Sequence, residues 1–222
     1  MGIGTIICAG LAGTAGLNLV LGLARAKGLT TLDFEWALGH LLAPGRRHAL
    51  LTGAVAHHLE GIVFAACYAW IWHAMGLSMG PLLGITMGSV LGVYHGLLHM
   101  PLLALVQWTD PASRRGILPD LGLLRGSGGL VETTWRLLAH VAYGGICGLI
   151  LTLGRPHPTV WLASGVAAVL GIILAHRRHR HVRPGSVLFL RGEAQDREAL
   201  ARWSSESPAA GRVDETEGEP PS

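Results

Sequence analysis

The sequence predicts an all-α protein: a polytopic transmembrane helical bundle of about five spans, with a short interfacial helix and a disordered C-terminal tail. Three observations carry that expectation. Half of the 222 residues are hydrophobic and only 14% are charged, with a positive mean hydropathy, a balance that leaves too little polar surface for a soluble domain. The apolar residues gather in five stretches, 3–24, 49–72, 82–106, 134–154 and 158–176, each near the length of about 20 residues that crosses the hydrocarbon core as a helix. The basic residues cluster in alternate connections between those stretches.

The first stretch has no basic residue ahead of it and a long apolar run. It reads as a membrane helix rather than a cleaved signal peptide, Ala24-Arg25-Ala26 being the one feature that resembles a processing site. The segment that follows, "TTLDFEWALGHLLAP", is too short and too charged to cross. It opens with Thr31 ahead of a helical pattern and stops at Pro44, so a short interfacial helix is expected, with Phe34 and Trp36 at the headgroups and Asp33 and Glu35 near the positive end of its dipole.

Orientation follows from the cations. Arg25, Lys27, Arg46 and Arg47 follow the first span, Arg114, Arg115 and Arg125 the third, and Arg177, Arg178, Arg180 and Arg183 the fifth, whereas "HAMGLSMGP" has no Lys or Arg and "GRPHP" has only Arg155. The positive-inside rule then places the N-terminus outside and the C-terminus in the cytoplasm. The bundle is expected over 1–183; 184–222 turns polar and Ser/Glu/Pro-rich, ending "DETEGEPPS", and reads as a disordered cytoplasmic tail with a helical turn or two around 193–203.

The arginine clusters that give the net charge of +3 serve topology, and nucleic acid is not expected as a partner; the lipid bilayer is. Cys8, Cys67 and Cys147 lie far apart inside apolar segments without CxxC spacing, which argues against disulfides. No phosphate loop, dinucleotide fingerprint, nucleophile elbow or HExxH motif occurs.

Thirty-two glycines suit close helix packing where lipid supplies no hydrophobic drive for association. Gly80, Gly84, Gly88, Gly92 and Gly96 recur every four residues, forming a groove on the third span, and at about 100° per residue His95 and His99 fall in the same sector. The second span places His57, Glu60, Gly61, Phe64 and Tyr68 on one face; the fourth does the same with His140, Tyr143, Gly144 and Cys147. His, a polar residue three on, then Gly is common to both, a short internal repeat. At about 1.5 Å per residue, His57, His95, His99 and His140 all fall roughly 9–16 Å from the cytoplasmic ends of their spans, so they are expected to meet in one layer, with Glu60 slightly deeper and Tyr143 beside them. Glu60 needs a partner at that depth; His57 is one candidate and Asn18 another.

These residues admit three functions. The leading reading is a structural or accessory bundle without demonstrable catalysis, whose histidines hydrogen-bond between helices. A second is a membrane redox component binding a metal ion or haem through His57, His95, His99 and His140. A third is a small proton-coupled transporter, for which five spans are few unless the chain forms a homo-oligomer.

The segments "RAKGLTTLDFEWALGHLL", "AHHLEGIVFAACYAW", "GSVLGVYHGLLHMPLL" and "AHVAYGGICGLI" together resemble a family of small bacterial integral membrane proteins that carries a domain of unknown function, over about residues 5–154. Gly28, Asp33, Phe34, His57 and His95 are similar to that family's loop after the first helix and its Gly/His-bearing helices. The resemblance implies a bacterial inner-membrane bundle and attaches no activity to it; the fifth span and the tail depart from the pattern.

Overall fold

The structure is a computed structural model that describes residues 2–30, 34–42, 46–76, 80–109, 129–154 and 157–181. Six helices occupy them: α1 (Ile3–Ala26), α2 (Phe34–Leu42), α3 (Arg46–Ala74), α4 (Pro81–Thr109), α5 (Gly129–Thr152) and α6 (Pro158–His181). No strand occurs among the described residues. Asp33, the arginines of the 110–128 connection and the polar tail, with its expected turns at 193–203, lie outside them.

Four helical stretches are long and apolar enough to cross a membrane: Ile3–Ala26, Leu50–Ala74, Pro81–Leu102 and Gly129–Thr152. The fifth expected span corresponds to a shorter apolar helix, Pro158–Leu174. Large apolar side chains such as Trp70, Leu82, Leu98 and Trp108 point outward and are more than two-thirds exposed, as lipid-facing positions require and as a soluble surface avoids in such number.

Helix ends follow local chemistry. α1 stops where Gly28 takes a φ of 69°, and the Leu29 and Gly28 amides turn back to donate to the Ala24 and Arg25 carbonyls at 2.9 Å each. This left-handed end satisfies carbonyls that would otherwise be orphaned.

Packing is organised by small residues. α1 touches α3, α5 and α6, while α4 packs against α5 and α2 against α3. At the α1–α3 crossing Gly10 faces the backbone of Gly61 and Ile62; at the α1–α5 crossing Gly13 faces Tyr143 and Cys147. The closest approach is between α4 and α5. A Cβ built on Gly88 would meet the Gly144 carbonyl oxygen and stand 2.9 Å from Gly148 Cα, and one built on Gly144 would stand 2.9 Å from Gly92 Cα. Gly84 meets Gly148 and Thr152 in the same way, and Gly96 lies against the His140 ring. The expected groove is therefore real from Gly84 to Gly96. Gly80 is a correction: it precedes the helix, is exposed, and has nothing within 4 Å of where its Cβ would be.

A second correction concerns α2. Phe34 is buried rather than resting at the headgroups, and Glu35 is buried too, accepting a 2.9 Å hydrogen bond from the Asn18 side chain of α1. Gly53 is the reason α2 can fold in: with no side chain there, the α2 backbone at Glu35 and Gly39 lies directly on α3. Trp36 is half-buried.

Replacing Gly88 or Gly92 by leucine should force α4 and α5 apart, because the new side chain occupies space held by backbone. Folded yield in detergent, read by size-exclusion chromatography and thermal melting, is expected to collapse for both, while Gly80→Leu should match the wild type.

Candidate intramembrane histidine site

The α4–α5 seam fixes the site. A Cβ at Gly92 would strike the His140 carbonyl, so the α5 backbone at His140 is pressed against the α4 face that carries His95 and His99. The three imidazoles consequently meet. Ring centroids are 4.9 Å apart for His95 and His140, and 5.5 Å for both His95–His99 and His99–His140. One nitrogen from each of His95, His99 and His140 lies within 4.8 Å of the other two. All three side chains are buried.

Aromatic rings wall the cluster. Phe64 of α3 stacks on His95 with centroids 3.6 Å apart, and Tyr143 stands edge-on to it at 5.3 Å. Tyr68 closes against Tyr143 at 5.9 Å. From α2, Phe34 contacts both His57 at 4.7 Å and His99 at 5.3 Å. α3 and α4 thus meet here through side chains, with α2 contributing one of the walls.

The polar partners can be assigned atom by atom. His140 Nδ1 lies 2.7 Å from the Arg136 carbonyl; a carbonyl only accepts, so Nδ1 carries the proton and, in the neutral ring, Nε2 presents its lone pair. His95 has no hydrogen-bond partner at either ring nitrogen among the described residues. His99 Nε2 lies 2.7 Å from Glu60 Oε1, with the oxygen off the ring N–H axis, so the contact is close without being a directed hydrogen bond. Glu60 Oε2 is buried without a partner among the described residues. Tyr143, one-hundredth exposed, donates its hydroxyl to the Gly61 carbonyl at 2.5 Å.

Three sequence expectations change. Glu60 pairs with His99 across the α3–α4 interface rather than with His57 on its own helix, and Asn18 serves Glu35. His57 is buried against Phe34, outside the trio whose nitrogens converge. His58, buried as well, donates Nδ1 to the Ala54 carbonyl at 2.8 Å and does not join them. The Cys147 thiol donates to the Ala9 carbonyl at 3.1 Å and Cys8 contacts the Ser164 hydroxyl at 3.2 Å, so both sulfurs serve helix contacts. His73 and His157 are exposed.

One element escaped the sequence reading. Arg136 Nη2 donates to Glu132 Oε1 at 2.6 Å in a buried i,i+4 pair one turn below His140. The Glu-x-x-x-Arg spacing is its sequence signal, but the apolar stretch that predicts the span begins at residue 134, past the glutamate.

Comparison with family models, with curated proteins and with solved structures found no match.

Tyr143→Phe removes the bond to Gly61 and keeps the ring. Interhelical hydrogen bonds in bilayers average about 0.6 kcal/mol, so unfolding measured by steric trapping in bicelles should show a loss of that order. Tyr143→Ala, which also empties space beside His95, should cost about 3–5 kcal/mol.

Proposed function

We propose that the chain is a five-span protein of the bacterial cytoplasmic membrane, N-terminus outside and C-terminus cytoplasmic, acting as an accessory bundle built around a binding chamber in the cytoplasmic half of the bilayer. The observation that carries the reading is the buried layer in which α3, α4 and α5 bring Glu60, His95, His99 and His140 together under Phe34. Polar and ionisable groups at such depth are costly in hydrocarbon, and in membrane bundles they mark functional sites. A purely adhesive role would favour hydrogen-bonded imidazoles, whereas both His95 nitrogens lack partners among the described residues. Four long apolar helices, the apolar Pro158–Leu174 segment and the alternation of arginine-bearing and arginine-free connections support the topology.

Alkaline phosphatase fused after Gly76 or Gly154 should be active, because those connections are expected outside. Fusions after Lys27 or beyond His181 should be inactive there and fluoresce as green fluorescent protein fusions instead. An active phosphatase at the tail would contradict the five-span arrangement.

A further inference from the structure

We infer that His95, His99 and His140 form a binding site for one borderline divalent transition-metal ion, of the zinc, cobalt or copper kind, with Glu60 as its charge-compensating neighbour; the inference gives the ligand class of the chamber proposed above and rests on that reading. Three features converge on a cation. Each ring offers a nitrogen: either one in His95, which has no hydrogen-bond partner among the described residues, Nε2 in His99, 2.7 Å from Glu60 Oε1, and Nε2 in His140, whose tautomer is set by the Arg136 carbonyl. An imidazole whose other nitrogen is held by a backbone carbonyl is the usual arrangement of a metal-bound histidine. The His95 nitrogens are buried without a hydrogen-bond partner among the described residues, and leaving a polar group unsatisfied costs about 1–3 kcal/mol, a cost that coordination removes.

The donor set selects the ion. Three imidazoles without thiolate suit borderline divalent ions; hard magnesium and calcium take oxygen donors, and both buried thiols are used elsewhere. A tetrahedral zinc ion with Zn–N bonds of about 2.0–2.1 Å needs nitrogens roughly 3.4 Å apart. Starting from nitrogens within 4.8 Å, the rings close by up to about 1.4 Å, and a fourth position stays open. A haem does not fit: imidazoles on opposite faces of a macrocycle cannot have centroids at 4.9–5.5 Å, and Phe64 already covers His95. Glu132 and Arg136 neutralise each other, so Glu60 is the anion left to offset a dication among the described residues near the trio.

His57 distinguishes this site from a general affinity of clustered histidines, since it is as buried as the ligands but outside their triangle. The test uses full-length, untagged protein in nanodiscs, with His176, His179 and His181 replaced by alanine to remove the histidines at the end of α6 as adventitious binders. Titration with Co²⁺, followed by its visible d–d absorption, should saturate at about one ion per chain. His95→Gln and His140→Gln should abolish the band, and His57→Gln should retain it within about threefold in affinity. Glu60→Gln should weaken binding by about tenfold to a hundredfold, the usual effect of losing an outer partner. Where a variant does not fold, pulsed electron paramagnetic resonance on Cu²⁺-loaded wild type replaces it: three coupled imidazoles support the site, and two or fewer overturn it. Absence of a saturable cobalt band in folded wild type, or its loss in His57→Gln, also overturns the site. Neither result disturbs the topology, which fails only if the reporter fusions read on the wrong side.

Discussion

Backbone meets backbone where α4 crosses α5, and the geometry of the molecule follows from that contact. In hydrocarbon, apolar side chains gain nothing by leaving lipid for protein, so two helices adhere only through close dispersion contact and polar bonds. Gly84, Gly88 and Gly92 on one side and Gly144 and Gly148 on the other remove every Cβ from the crossing. Farther along, the same seam carries His140 to the flank of Gly96, and hence to the face of α4 that presents His95 and His99. Position along the seam is therefore what determines whether three imidazoles share one space.

The other helices enclose that space and balance its charge. α1, with Gly10 and Gly13 at its two crossings, holds α3 and α5 close enough for the Tyr143 hydroxyl to reach Gly61. α3 contributes Glu60 and the Phe64 and Tyr68 walls, and Gly53 admits α2 so that Phe34 covers two histidines. The acidic side chains among the described residues occur with partners: Glu132 with Arg136, Glu35 with Asn18, Glu60 with His99. Glu60 differs from the others because its second oxygen is unpartnered and its neighbour is an imidazole, which makes this corner of the bundle receptive to an added positive charge.

Periodicity carried much of this. A four-residue glycine spacing and an i,i+4 histidine pair in one angular sector place His95 and His99 against protein, and counting residues from the charged ends puts His140 at the same depth. Rotation about a helix axis is legible from sequence; which neighbour a face meets is not. That is why the sequence offers Glu60 His57 or Asn18 as a partner although the fold gives it His99, and why it groups His57 with three histidines whose nitrogens converge without it. The position of α2 was misread for a related reason. Its Phe, Glu and Trp suit an interface by composition, and only the gap at Gly53 on another helix reveals that they turn inward. Charged residues lower local hydropathy, so the buried Glu132–Arg136 pair concealed the first turn of α5 instead of marking it.

The central claim is that α4 and α5 bring three imidazoles into mutual contact inside the bilayer, and solid-state nuclear magnetic resonance on histidine-labelled protein in lipid bilayers reads it directly. Ring signals are assigned by single His→Gln substitution. The account predicts through-space cross-peaks linking the His95 and His140 rings, with centroids 4.9 Å apart, and linking each of them to His99. A spectrum in which His140 shows no cross-peak to either α4 histidine would contradict it.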